Sequence, residues 1–275
     1  MIEFKTAEEF KTGKPGIYLD VPEADYFAFP AASNSTLCLY EQNPGNVPWS
    51  KRAPIIEGDD ATDLGSLVHC KALTPHLFNE TYIVRPLVNL RTKKGQAEAE
   101  AFEWQAEQSG LKVITEALNT KADNMVTSMM AHPEFERVLT AQNLNTEVTL
   151  LWVDEQTGVL CKCRCDTLID LDGHAAVVMD LKTIAALDKI KWAIRDHGYD
   201  RQQVHYTEGL LANGFSEVHW RFGFVSSSLA LKRYSVDFIR LRGELIEDAQ
   251  FAQRKRLAGY SYSLKTNDWF GDTEI

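Results

Sequence analysis

The stretch that most limits the fold runs from Val159 to Lys182, VLCKCRCDTLIDLDGHAAVVMDLK. Two apolar, alternating runs flank Asp170-Leu171-Asp172-Gly173, whose residues suit a tight turn, and together they predict a β-hairpin. Successive side chains on a strand point to opposite faces. Lys162, Arg164 and Asp166 therefore fall on one face of the first strand, and Cys161, Cys163 and Cys165 on the other. On the second strand Val178, Asp180 and Lys182 share a face. Pairing across the hairpin brings Asp166 near Asp180 and Lys182, whereas a slip of one residue would separate the two acids. Two carboxylates and an ammonium on neighbouring strands can hold a hard divalent cation and activate a water, with the backbone carbonyl of Leu181 as a further ligand.

The remaining chain builds around this hairpin. Glu147–Val153, residues 159–168 and residues 175–182 read as an antiparallel meander, followed by strands at 220–226 and 233–241. Apolar spacing predicts helices at 36–42, 61–73, 96–108, 115–131, 187–196, 199–213 and 243–258, and a short strand at 81–84. In the fourth of these helices Ala122, Met125, Val126, Met129 and Met130 form a core stripe. The pattern describes an α/β fold of the α+β type: a central mixed sheet flanked by helices, with an N-terminal helical region. At 275 residues, with no evident linker, we expect a single domain over 1–275. Pro15, Gly16, Pro22 and Pro30 make residues 1–31 an irregular arm, and 261–275 form a C-terminal tail. No apolar run approaches the ~20 residues of a membrane span, and MIEFKTAEEFKTGK lacks the apolar centre of a signal peptide, so a cytoplasmic location and no membrane partner are expected.

The net charge of −10 opposes indiscriminate nucleic-acid binding but leaves room for basic strips. One carries Arg85, Arg91, Lys93 and Lys94, and another Arg254, Lys255, Arg256 and Lys265. Arg91, Lys93, Lys94 and the strand residue Arg164 are the candidate DNA contacts. The cysteines of the hairpin lack the paired spacing of zinc or iron–sulfur sites and read as reduced, half-buried thiols.

Four short motifs then fall in order. They are Gly65-Ser66-Leu67-Val68-His69 on a helix, Asp166 on a strand, Asp180-Leu181-Lys182 on the next strand, and Gln202-Gln203-Val204-His205-Tyr206 on the following helix. With Ser33-Asn34-Ser35-Thr36-Leu37 before them, this order resembles the PDDEXK nucleases of the RecB-like branch. More narrowly it resembles the exonuclease VIII (RecE) nuclease domain of phage and prophage recombination systems. The resemblance implies a restriction-endonuclease-like PDDEXK core. It implies His69, Asp166, Asp180 and the Leu181 carbonyl as metal ligands, with Glu147 as an additional acid, and Lys182 as the catalytic lysine. Gln202 and Tyr206 would brace the site or touch DNA. The cofactor implied is Mg²⁺, with Mn²⁺ able to substitute. Cys165 precedes Asp166 where many relatives carry proline or glycine, and cysteines inside the sheet at this spacing lead us to expect no iron–sulfur cluster. The implied activity is 5′ to 3′ digestion from the ends of linear double-stranded DNA, leaving a 3′ single strand. The implied partners are further copies of the chain in a ring, a tetramer rather than a trimer, and a single-strand annealing protein, in a bacterial host cell and of phage or prophage origin. The alternatives are another PDDEXK DNA nuclease, either an endonuclease or a single-strand nuclease, and a DNA-binding recombination accessory protein without catalysis. A zinc-binding module built on Cys161, Cys163 and Cys165 is a third.

Overall fold

The apolar runs between Leu144 and Ile184 pair as an antiparallel meander at the centre of a mixed seven-stranded sheet. The computed structural model describes residues 2–52 and 60–270. Its strands are β1 (Phe4–Lys5), β2 (Gly16–Tyr18), β3 (Tyr82–Val84), β4 (Lys112–Ile114), β5 (Leu144–Val153), β6 (Leu160–Leu171), β7 (Ala175–Ile184), β8 (Glu217–Ala230) and β9 (Arg233–Ile239). The main sheet has the order β1-β2-β5-β6-β7-β8-β9, and β3 and β4 form a separate parallel pair. β7 and β8 run parallel, while the meander and the β8–β9 pair are antiparallel. In the β6–β7 turn Asp172 and Gly173, at φ 58° and 71°, take the left-handed backbone that reverses the chain within the three residues between Leu171 and Ala175. The Asp170 carboxylate closes it by accepting the Gly173 N–H at 2.6 Å.

Twelve α-helices dress the described part of this sheet: α1 (Ala7–Phe10), α2 (Glu23–Ala28), α3 (Asn34–Gln42), α4 (Asn46–Ser50), α5 (Asp60–Leu73), α6 (Phe78–Thr81), α7 (Lys93–Gln108), α8 (Glu116–Met130), α9 (Pro133–Leu139), α10 (Ile190–His197), α11 (Tyr199–Ala212) and α12 (Glu244–Thr266). Leu64, Leu67 and Val68 of α5 pack with Met125 and Met129 of α8 against Met179, Leu181 and Val225 on one face of the sheet. The methionine stripe is thus core, as its spacing predicts. On the other face, Ile190 and Ile194 of α10, Leu210 of α11 and Leu257 of α12 pack against Trp152, Cys161, Cys163, Cys165 and Val178. α10 and α11 form the crossover that a parallel β7–β8 pair requires.

Two expectations, those for the chain ends, need correction. Residues 1–31 are not irregular: Gly16–Tyr18 is fully buried and hydrogen-bonded to β5, and β1 extends the sheet beyond it. Strands of two and three residues carry too little periodicity to be recognised. Pro133 opens α9, where a missing N–H costs nothing, and His132 Nδ1 accepts the Glu134 N–H. The supposed tail is helical as far as Thr266, and Trp269 then packs edge-on against Tyr40 and Tyr260. No described helix is long and apolar enough to cross a membrane.

Candidate metal centre and active site

The β6–β7 register pairs Ile169 with Val177, Asp170 with Ala176 and Leu171 with Ala175. Continued toward the site, it sets Asp166 opposite Asp180. There the backbone ladder gives way to side chains. Thr167 Oγ1 accepts the Met179 N–H and donates to the Met179 carbonyl, each at 2.8 Å, and Asp166 Oδ2 accepts the Leu181 N–H at 2.7 Å. β5 and β6 also change face at this level. Leu144 and Ile169 pack on the α5–α8 side, whereas Val148 and Cys165 pack on the α11 side. Glu147 lies within β5 rather than at its start, and it takes the left-handed backbone, φ 53°. The pairs Thr146–Thr167 and Val148–Cys165 leave Glu147 facing Asp166.

His69 reaches this point from α5. A Cβ on Gly65, one turn earlier, would lie 3.1 Å from Thr183 Oγ1, so the small residue lets the helix approach β7. His69 Nδ1 is 3.7 Å from Asp166 Oδ2. His69, Glu147 and Asp166 offer ligand atoms that all lie within 4.8 Å of one another. Asp180, with a side chain only 1% exposed, is turned to other partners: Lys182 Nζ stands 2.5 Å from its Oδ2, and Gln202 Nε2 donates to its Oδ1 at 2.6 Å. Lys182 also lies over the Tyr199 ring, 4.8 Å from its centroid. The acids read from the sequence thus form two touching groups, with Glu147 rather than Asp180 completing the compact triad.

The electrostatics follow from burial of many acids beside one ammonium. Burial, then the Lys182 charge, pushes the His69 pKa down to about 4, against the opposing pull of Asp180 and the Leu181 carbonyl. Its imidazole is therefore neutral at pH 7 and offers a lone pair. Burial, then the charge of Asp166, raises Glu147 to about 7. Burial raises Asp180 to about 6 against the pull of Lys182, and Asp166 is also raised. Burial alone would discharge Lys182, but Asp180 and Asp166 outweigh it and its pKa rises. One neutral imidazole and an excess of desolvated carboxylates fit a hard divalent cation, whose charge would relieve their repulsion.

The other candidate residues divide. Tyr206 packs edge-on against Trp220, and no hydrogen bond links it to the site acids. Arg164 is spent internally: its guanidinium donates to the Val21 carbonyl and Thr149 Oγ1 and lies over the Tyr26 ring, so it is not a free phosphate contact. Arg91, Lys93 and Lys94 are exposed where α7 begins, Lys94 within 3.7 Å of Glu98. All five cysteines are free thiols, and burial pushes the Cys161 and Cys163 thiols up. Sequence reasoning missed Thr167 and Tyr199, whose roles depend on where the strands separate.

Residues 46–261 match the PDDEXK-like domain of unknown function (DUF3799), and the chain belongs to that family, within the PDDEXK nuclease superfamily. No curated protein sequence matches it. Among solved structures it is similar to a protein from Eubacterium rectale named "putative exonuclease", at 14% identity over 94% of this chain and 96% of that one, with a TM-score of 0.58. That likeness is one of fold. VC1899 from Vibrio cholerae overlaps 94% of this chain and 60% of its own at 12% identity, with a TM-score of 0.25 that supports no argument.

Proposed function

We propose that the protein is a Mg²⁺-dependent exodeoxyribonuclease acting on the ends of linear double-stranded DNA. The observation that carries this reading is the meeting of His69, Glu147 and Asp166 beside the Asp180–Lys182 pair, beyond the point where the backbone ladder between β6 and β7 ends. The exonuclease VIII resemblance supports 5′ to 3′ polarity, a ring of subunits and an annealing partner. An acidic body with exposed Arg91 and Lys93 is compatible with DNA meeting a basic inner lining.

His69, Glu147 and Asp166 would hold the cation, with Asp180 and the Leu181 carbonyl beside them. When bound, such an ion polarises a phosphoryl oxygen and lowers the pKa of its water. The residues of this chain do the rest. Gln202 holds one oxygen of Asp180, and Lys182 holds the other, so the carboxylate cannot rotate freely. The Lys182 ammonium, kept charged by two acids, supplies a cation where negative charge builds on the phosphate as water attacks and the P–O bond to the leaving oxygen breaks. Tyr199 shields one side of that ammonium from water.

The test compares wild type with Asp180→Ala on end-labelled linear duplex and on closed circular duplex, with Mg²⁺ and with chelator. Mononucleotide release from linear DNA alone, only with Mg²⁺ and only by wild type, supports the reading. Cutting of the closed circle would make the enzyme an endonuclease. Equal release by Asp180→Ala would remove the site assignment, and no release by wild type would leave a DNA-binding accessory protein.

A further inference from the structure

We infer that Gln253 and Arg256 of α12 are positioning residues for Gln202, holding the first turn of α11 so that the Gln202 amide meets Asp180. The inference rests on the nuclease reading above, in which Gln202 keeps that carboxylate from rotating, and adds the part of the molecule that keeps Gln202 in place.

Gln202 lies where a helix is weakest. Its N–H closes the first turn of α11 by donating to the Gly198 carbonyl at 2.9 Å, and Gly198 has no side chain to cap the N–H groups before it. Helix ends of this kind open readily. The side chain must nevertheless stay placed, because Gln202 Nε2 donates to Asp180 Oδ1 at 2.6 Å. A displacement of about 1 Å would break a contact of that length.

A buried chain of polar side chains takes the place of the cap. Gln253 and His205 are wholly enclosed, and Arg256 is 3% exposed. Arg256 Nε donates to Gln253 Oε1 at 2.7 Å. Gln253 Nε2 lies 3.0 Å from His205 Nδ1 and 2.8 Å from Glu208 Oε2, and His205 Nε2 lies 3.1 Å from the Lys162 carbonyl of β6. The direction of this chain is forced. A guanidinium only donates, so Gln253 shows it the oxygen and spends both protons of its NH2 on His205 and Glu208. His205 Nδ1 then accepts, and Nε2 donates to the Lys162 carbonyl. No member can turn over without leaving a buried donor or acceptor unpaired. The same guanidinium reaches the other side of Gln202. Its Nη2 lies 3.4 Å from the Arg201 carbonyl and donates to Asn34 Oδ1 of α3 at 2.8 Å, while Glu41 of α3 pairs with the Arg201 guanidinium at 3.0 Å. α11 is therefore pinned at Arg201 and at His205, just before Gln202 and nearly one turn after it. Asn34, in the middle of the Ser33-Asn34-Ser35 motif, gains a use, and Arg256 leaves the basic strip read near the C-terminal end, because its charge is turned inward.

The test is a pair of double-mutant cycles. Gln253→Leu, which keeps the bulk and removes the polar end, is made in wild type and in Gln202→Ala, and kcat and KM are measured on linear duplex with Mg²⁺. Acting through Gln202, it should lower kcat about tenfold in wild type, leave KM within about twofold, and change kcat by less than about twofold once the Gln202 amide is gone. Leu257→Ala, a cavity in the core face of the same helix, should change kcat by the same factor in both backgrounds. An equal loss from Gln253→Leu in both backgrounds, or coupling of Leu257→Ala to Gln202 as strong as that of Gln253→Leu, would overturn the inference while leaving the nuclease reading standing. The second cycle follows urea unfolding in chelator and needs no activity. The midpoint shifts of Gln253→Leu and Gln202→Ala should together fall short of their sum, and strict additivity would overturn the inference. A coupled unfolding cycle in a protein that releases no nucleotide would sustain the hold on Gln202 and overturn the nuclease reading. If Gln253→Leu does not fold, Asn34→Ala, at a half-buried position where α3 begins, is taken through both cycles under the same criteria.

Discussion

Replacing Asp180 by asparagine should make the metal-free protein more stable while abolishing its activity. Asp180 is almost wholly enclosed, and its pKa stands at about 6 against an ordinary 3.8, because burial outweighs the help of Lys182. A carboxyl whose folded pKa is raised carries no penalty while it is protonated in both states. The penalty grows as pH rises from the unfolded value to the folded one and is complete above it. A gap of about two pKa units corresponds to about 3 kcal/mol at pH 8. Asparagine keeps the shape and the Gln202 contact and removes the charge, so it should recover most of that. For a chain of this size the gain reads as a rise in melting temperature of about 5 to 10 °C. The assay is thermal or urea unfolding in chelator at pH 8 and pH 4. The advantage of Asp180→Asn should be large at pH 8 and shrink toward pH 4. If the variant is less stable than wild type at pH 8, or if its advantage does not depend on pH, the site is not holding charge at the expense of the fold.

Other outcomes follow from the same structure. Mg²⁺ at a hundredfold excess over its dissociation constant should stabilise wild type by about 2.7 kcal/mol in thermal unfolding, and Glu147→Gln should lose most of that shift. His205 is buried, donates from Nε2 to the Lys162 carbonyl, and is held neutral with its pKa pushed down to about 3 by burial and Arg256. Since the unfolded chain takes up this proton below pH 6.5 and the folded chain does not, wild type should lose about 2 kcal/mol relative to His205→Gln between pH 7 and pH 5; parallel urea-stability curves for the two proteins would refute this. A Cβ on Gly209 would sit 2.7 Å from the ring of Trp152, itself packed on His205, so Gly209→Ala should cost about 1 to 3 kcal/mol in chemical denaturation. Lys182→Met should lower kcat on linear duplex by at least about a hundredfold with an unchanged circular dichroism spectrum, and retained turnover would remove the lysine from the mechanism.

The hairpin was legible because its turn residues and alternation are local, and they set the register on which the meeting of Asp166 and Asp180 depends. His69 and Gln202 were legible only through the resemblance, since nothing local says that α5 and α11 arrive at one level of the sheet. Alternation alone does not place Glu147 beside Asp166. Alternation treats a strand as straight, whereas a left-handed residue at Glu147 moves the following side chains to the other face. Arg164 failed for a related reason. Its face of β6 is covered by α2 and the loop around Val21, part of the arm read as irregular. Short edge strands leave no period to detect, and what they cover cannot be read until they are placed.

The parting of β6 from β7 explains why a backbone carbonyl belongs to this site at all. In a strand the N–H and C=O of one residue point to the same neighbour, and in a closed antiparallel pair both are consumed by it. Met179 and Leu181 both turn these groups toward β6. For Met179, a single hydroxyl on Thr167 satisfies both. For Leu181, Asp166 takes the N–H but, being a carboxylate, has no proton to offer the carbonyl. That oxygen is left facing the His69 imidazole. The same substitution of side chain for backbone therefore fixes Asp166 and frees an acceptor next to it. The left-handed turn at Glu147, at a cost of about 1 to 2 kcal/mol, swings a third oxygen donor to the same place. A fully laddered sheet would be more stable here, but it would bury the Leu181 carbonyl in a hydrogen bond and leave Asp166 without the Leu181 N–H that fixes it.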